Sequence, residues 1–184
     1  MERIIECPFC ETQRFVSMSV KPGVKYENII YEKCVNKKCE KTFMIPLNYK
    51  LIYLSRTFKI SEMRYKHPAH IKNYFSGVLD FIDINDYVNQ DLIDHPEKIV
   101  KFDEGVIDKC DILVAIINQP TFGTLGEIHY ARHKKIPIYA INPNRVYMNE
   151  PWLKYIVDDL CDDIDKCFYD LVNLAVKEYN FKYE

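Results

Sequence analysis

The run I-L-V-A-I-I-N-Q-P-T-F-G-T-L-G-E, Ile112 to Glu127, decides the fold. Its first six residues are apolar and mostly β-branched, with no polar alternation, the pattern of a strand buried on both faces. A polar loop follows at once, and then a helix read from Leu125 to His133. The same alternation recurs on either side. Leu51–Leu54 and Ile136–Ile141 read as short apolar strands, and Val78–Ile84 holds another. His67–Leu79 reads as a helix, with Ile71, Tyr74, Phe75 and Val78 at helical spacing. Pro96–Lys109 reads as a second, with Ile99, Phe102, Val106 and Ile107 on one side. A last helix is expected from Trp152 to Tyr179, its stripe formed by Ile156, Leu160, Ile164, Phe168, Leu171 and Ala175. Strands alternating with helices predict an α/β fold: a doubly wound, mostly parallel sheet of the Rossmann or flavodoxin kind. Ligands collect at the carboxyl ends of such strands, so Thr57 and the Gln119–Gly126 loop, which follow strands directly, belong on the binding rim.

One carboxylate, Glu127, stands behind the two glycines of that loop. A helix start aims backbone N–H groups into the preceding loop and favours an anion. Gly123 and Gly126, with Thr124 between them, permit close approach of a ligand to the main chain. Two readings stand side by side: an acid stabilised by the helix dipole, or a group that does chemistry.

Composition narrows the classes. The chain has 184 residues, 48% of them apolar, enough for a sizeable core, and 14 Tyr with 10 Phe exclude a disordered chain. A net charge of −2 gives no case for whole-protein attraction to nucleic acid or membrane. No apolar run has the length of a membrane span, and the first residues are not a signal peptide. The expectation is a cytoplasmic protein, where closely spaced cysteines are metal ligands more often than disulfides.

Four of the seven cysteines fall in the first 50 residues, as Cys7-Pro-Phe-Cys10 and Cys34-Val-Asn-Lys-Lys-Cys39. Between them Arg14–Val20 and Asn28–Glu32 read as strands separated by the turn Lys21-Pro22-Gly23, as in a hairpin. Four thiolates from two turns can surround zinc tetrahedrally, and so small a segment needs such stabilisation. The expected organisation is a zinc-ribbon-like β-module over 1–49 and an α/β domain over 50–184. The segment 1–50 holds nine Lys/Arg against six Asp/Glu, net +3, and the remainder sixteen against twenty-one, net −5. A ribbon of this kind reads nucleic acid, contacts a protein partner or simply stabilises, and +3 does not choose among these. Cys110, Cys161 and Cys167 are read as core residues. The acidic residues Asp158, Asp159, Asp162, Asp163 and Asp165 are read as a solvated helix face.

From about residue 51 to 180 the chain resembles the nucleoside 2-deoxyribosyltransferase superfamily, and within it the deoxynucleoside 5′-monophosphate N-glycosidases. Gln119-Pro-Thr-Phe-Gly-Thr-Leu-Gly-Glu127 is similar to that branch's Q-P-S-x-G-x-x-x-E loop. Asp103 stands before Asp111-Ile-Leu-Val-Ala115 as the family's catalytic Asp stands before its D-x-V-V-A strand. Tyr53 in L-I-Y-L-S-R-T matches the branch's Y-x-x-G-S. The resemblance implies that Glu127 attacks C1′ of a nucleotide, Asp103 protonates the departing base, and the Tyr53 hydroxyl orients Glu127. It implies a 5′-phosphate held by Thr121, Thr57 and the amides of Gly123, Thr124 and Gly126, and a homo-oligomeric enzyme, since family sites are often built across a dimer.

There are departures. Arg56 replaces the small residue of the first loop, where it either binds phosphate or closes the pocket. His129 replaces a glycine two residues after Glu127. No serine in Asn144–Asn149 matches the family's later phosphate ligand, so Arg145 or Asn149 would substitute. The expected activity is N-glycosidic cleavage of a (deoxy)nucleoside 5′-monophosphate. A base-exchanging deoxyribosyltransferase and a nucleotide-binding sensor or adaptor without turnover are the alternatives.

Overall fold

The computed structural model describes residues 2–17, 29–46, 50–56, 78–83, 94–119 and 121–182. In chain order their elements are β1 (Glu2–Glu6), β2 (Gln13–Ser17), β3 (Ile29–Lys33), β4 (Thr42–Pro46), β5 (Lys50–Arg56), β6 (Leu79–Asp83), α1 (Pro96–Ile107), β7 (Ile112–Ile116), α2 (Phe122–His133), β8 (Ile138–Ile141), α3 (Pro151–Ile156), β9 (Asp159–Cys161) and α4 (Ile164–Lys182). Two compact units divide the chain. The first takes Met1–Lys50, Lys66–Asp80 and Phe168–Glu184, and the second Leu51–Tyr65 and Phe81–Cys167.

The strands of the α/β sheet lie in the order β6-β5-β7-β8-β9. The pairs β5–β7, β7–β8 and β8–β9 are parallel. Counted from β5, this is the 2-1-3-4-5 order of a doubly wound sheet, whose switch point falls between its first and third strands. Here those are β5 and β7, so the crevice at their carboxyl ends is where this topology offers a ligand site. All five residues of β7 are buried, as its unbroken apolar run requires. One face of the sheet carries Tyr53, Leu113, Ala115, Ile117, Ile138 and Ala140, packed with Ile107 of α1, Ile128 and Ala131 of α2, and Leu153 and Ile156 of α3. Burying each large aliphatic there is worth about 1.5–3 kcal/mol.

Helix boundaries follow local chemistry. Pro96 begins α1, where its missing N–H costs nothing. Thr121 caps α2, its Oγ1 accepting the Thr124 N–H at 3.3 Å. The last expected helix is corrected. In place of one helix from Trp152 to Tyr179 the chain forms α3, β9 and α4. The acidic run makes the break. Asp158 Oδ2 accepts the N–H of Ile138 at 2.8 Å, and Asp163 Oδ1 accepts that of Lys166 at 2.8 Å, which starts α4 anew. Ile156, Leu160 and Ile164 keep helical spacing by coincidence, since Leu160 lies in a three-residue strand. The helix expected from His67 lies outside the described residues as far as residue 77, as does the turn Lys21–Gly23.

In the first unit β1 pairs with β2 and β3 with β4, both antiparallel. The sequence expects one hairpin joining the runs around Arg14–Val20 and Asn28–Glu32. Among the described residues, each run pairs instead across its own cysteine turn. A two-stranded hairpin is marginal alone, and these two are completed by α4. The Asn173 side chain, 7% exposed, accepts the Glu6 N–H at 3.2 Å through Oδ1. Asn180, 2% exposed, accepts the Met44 N–H at 2.8 Å and donates to the Met44 carbonyl at 2.6 Å. Tyr169 donates to Glu6 at 2.8 Å, and the Phe181 ring meets Phe9 edge-on at 6.1 Å. Main-chain groups of β1 and β4 thus find partners in buried amide side chains.

Candidate active site and cysteine cluster

Side chains alternate along a strand, so Tyr53 and Ser55 point to the same face of β5. Ser55 lies opposite Ala115 of β7, and two small residues there leave room above the carboxyl end of the sheet. Glu127 enters that room. Its helix buries Thr124, Ile128 and Ala131 against the sheet, and position 127 falls among them on the helical repeat. The Tyr53 hydroxyl donates to Glu127 Oε1 at 3.1 Å, and the Ser55 hydroxyl donates to Oε2. Both hydroxyl-bearing residues have no exposed surface. Each carboxylate oxygen therefore holds a separate donor from one strand.

Glu127 is the sixth residue of α2, which begins at Phe122 rather than Leu125. The expected stabilisation by the helix start is corrected accordingly, because the dipole effect fades beyond the first turn. Burial raises the pKa of Glu127 above the ordinary carboxylate range, and the bonds from Ser55 and Tyr53 oppose that rise. Asp103, from α1, is pushed up to about 7, first by burial and then by the charge of Glu127, with Tyr53 opposing. Its Oδ1 is buried with no hydrogen-bond partner among the described residues. The Tyr53 phenol is driven above its usual range by burial and by the charges of Glu127 and Asp103. The structure thus brings together Tyr53, Asp103 and Glu127 from three elements, at the switch point. Ser55 is the member that sequence reasoning missed. Its signal was a hydroxyl two residues after Tyr53 within a buried strand. Asn118 was missed too; it directly follows the buried run, and its Oδ1 is likewise buried without a partner among the described residues.

The phosphate-side expectations fare unevenly. Thr57 lies outside the described residues. The Arg56 Nε and Nη2 atoms each lie 2.8 Å from Oδ2 of buried Asp83 on the neighbouring strand, so its charge is already matched. Gly123 and Gly126 lie inside α2 rather than in a loop. The N–H of Thr124 goes to the Thr121 side chain and that of Leu125 to the Thr121 carbonyl at 3.0 Å, so among the described residues the first-turn amides left for an anion are those of Phe122 and Gly123. A Cβ at Gly123 or Gly126 would meet nothing within 4 Å, so open space adjoins this flank of α2. Asn149 is exposed and accepts from Lys154 at 3.1 Å, and Arg145 pairs with Asp162 at 3.2 Å.

The four N-terminal thiols converge. The Sγ atoms of Cys7, Cys10, Cys34 and Cys39 all lie within 4.8 Å of one another. Cys7 to Cys39 is 3.9 Å and Cys10 to Cys34 is 3.6 Å. A tetrahedron with Zn–S bonds near 2.3 Å has S···S edges of about 3.8 Å, so the donor set and its spacing are compatible with zinc. The two turns are built alike. The residue after the last cysteine of each pair is left-handed, Glu11 at φ 57° and Glu40 at φ 50°. Glu11 N–H returns to the Cys7 carbonyl at 2.8 Å, and Glu40 N–H to that of Asn36 at 3.0 Å. Asn36 thus takes the turn position that Cys7 holds in the first pair, which accounts for the longer second spacing. Its own N–H donates to Cys34 Sγ at 3.4 Å. Among the described residues, no helix is long and apolar enough to cross a membrane.

No family model and no curated protein matches the chain. Solved structures do. A conserved protein from Enterococcus faecalis V583 is 18% identical with a TM-score of 0.51, over 71% of this chain and 98% of its own. The 2-deoxyribosyltransferase from Bacillus psychrosaccharolyticus is 16% identical with a TM-score of 0.49, over 67% of this chain and 90% of its own. At such identity the first of these speaks to architecture alone: the chain has the fold of the Enterococcus faecalis protein over 71% of its length.

Proposed function

We propose that the protein is an N-glycosidase that cleaves the base–sugar bond of a (deoxy)nucleoside 5′-monophosphate. The observation that carries this reading is Glu127, held on both oxygens by Tyr53 and Ser55, with the raised acid Asp103 beside it. The resemblance of the Gln119–Glu127, Asp103 and Tyr53 segments to the glycosidase branch agrees with it. In the first step the Glu127 carboxylate bonds to C1′ as the C1′–N bond breaks, and Asp103 gives its proton to the departing base nitrogen. In the second, Asp103 takes a proton from water, whose oxygen bonds to C1′ and releases Glu127. An acid held near 7 suits both halves of that cycle at neutral pH. Thr121 and the Phe122 and Gly123 amides are the groups we assign to the 5′-phosphate.

The four cysteines hold a structural zinc in this proposal, which also fits a reducing, cytoplasmic setting. Phe122, Trp152 and Tyr155 are 98%, 72% and 77% exposed, and these large side chains favour a homo-oligomer, since a monomer would leave them in water.

Chromatography of nucleotides and nucleosides incubated with the protein tests the activity. Free base is expected from a monophosphate with wild type. Glu127→Gln should stay folded, still bind nucleotide, and lose turnover by roughly three or more orders of magnitude. A new nucleoside formed when a second base is added would move the assignment to a base-exchanging transferase. No base released from any nucleotide by wild type would leave a binding protein without turnover.

A further inference from the structure

We propose that Ser55 is a positioning residue that, together with Tyr53, fixes Glu127 as the ionised partner and leaves the site's exchangeable proton on Asp103. As a statement about turnover it rests on the glycosidase reading; as a statement about two carboxyl groups it does not.

Nothing in the strand pattern demands a hydroxyl at 55. The neighbours of Ser55 in β5 and β7 are apolar, apart from Tyr53 and Arg56, and alanine would fill the position as Ala115 does across the ladder. A buried hydroxyl needs a partner, and Ser55 finds it in a carboxylate 72 residues away. Hydroxyls on both oxygens of Glu127 favour its charged form, because each donates to negative oxygen. Asp103 is less well served. Among the described residues its Oδ1 has no donor, Tyr53 alone opposes its rise, and the charge beside it is negative. Two carboxyl groups that feel each other's charge divide protons between them, and the asymmetry of donors decides which keeps one.

Among the described residues the groups around the pair are few. From β5 come Tyr53 and Ser55, from α1 Asp103, and from the turn before β7 Cys110, which acts on Tyr53. Arg56 lies on the opposite face of β5 with Asp83. On α2, Tyr130 is bonded to Asp108. No lysine or arginine among the described residues contacts either carboxyl group, so hydroxyl donors rather than a cation carry the assignment.

Ser55→Ala removes one donor and little volume. Side-chain carbon NMR, read across a pH titration of the full chain, follows Glu127 and Asp103 separately. In Ser55→Ala the Glu127 midpoint should rise by about 1–2 pH units, the equivalent of a hydrogen bond to a charged group. The Asp103 midpoint should fall, because it then faces a neutral neighbour over more of the range. The two titrations move toward each other, a pattern that loosened packing alone would not produce. Ser55→Thr, which keeps the hydroxyl, should return both toward wild type. Unchanged midpoints in a folded Ser55→Ala, or a Ser55→Thr no different from Ser55→Ala, would overturn the proposal. With base release measured in parallel, the bell-shaped pH profile should narrow from both sides. If no base is released by wild type but the midpoints converge, the glycosidase reading fails and the role of Ser55 stands.

Discussion

The charge of Glu127 adds to burial in lifting Asp103 to about 7, so the two carboxyl groups cannot be considered apart. The folded chain binds the Asp103 proton more tightly than the unfolded chain, whose carboxyl titrates near 3.8. Stability from this group is therefore full below that value and is lost as pH rises toward 7. Asp103→Asn should remove the penalty and raise thermal stability at pH 8 while changing little at pH 4. The gain should be on the order of 2 kcal/mol, less than for a fully buried charge, because Asp103 is only half-buried. In activity the same variant should lose the alkaline limb of the profile, with smaller losses for substrates whose base leaves easily. Melting curves at both pH values check the first statement, and a profile unchanged in shape would contradict the second.

Elemental analysis of purified protein should find about one zinc per chain. Cys34→Ser should release it. Since the cysteine hairpins and residues 168–184 form one unit, amide exchange should quicken in β1–β4 and in the last helix together. A protein free of metal with protected β1–β4 amides would refute the zinc assignment.

Thr121 has two jobs that separate by substitution. Its side chain caps α2, so Thr121→Val should lower stability by about 1 kcal/mol. If it also binds phosphate, KM for the monophosphate should rise by roughly tenfold or more, with the free nucleoside little affected. Thr121→Ser keeps the hydroxyl and should be near wild type on both counts. Equal losses on nucleotide and nucleoside would remove Thr121 from phosphate recognition.

Trp152 lines an apolar groove of about 280 Å³ with Leu125, Ile128, Tyr147, Leu153 and Ile156. Trp152→Glu should shift the sedimentation coefficient to that of a monomer if the Trp152 face joins copies of the chain. Wild type sedimenting as a monomer at micromolar concentration would dispose of the homo-oligomer.

The sheet was legible because β7 and β8 are short, unbroken apolar runs bounded by polar turns. So was the convergence of the four thiols, since ligand spacing is local. β9 was not, because three residues carry no periodicity, and Leu160 happened to continue a helical stripe. Ser55 escaped for a different reason. Its importance lies in a partner on α2, and pairing across 72 residues leaves no trace in local pattern. The start of α2 at Phe122 was hidden by Gly123 and Gly126, which weaken helix propensity although the Thr121 cap overrides them.

Glu6 and Phe9 meet Tyr169, Asn173 and Phe181, side chains separated by nearly the whole chain. On the ribosome the cysteine hairpins emerge before the α/β sheet, while the helix that completes their hydrogen bonding is made after it. Contacts of such long sequence separation form late. The nascent N-terminal segment must therefore wait through the synthesis of the whole sheet before its final partner exists. A metal ion captured early by the four thiols would hold the two turns together through that interval.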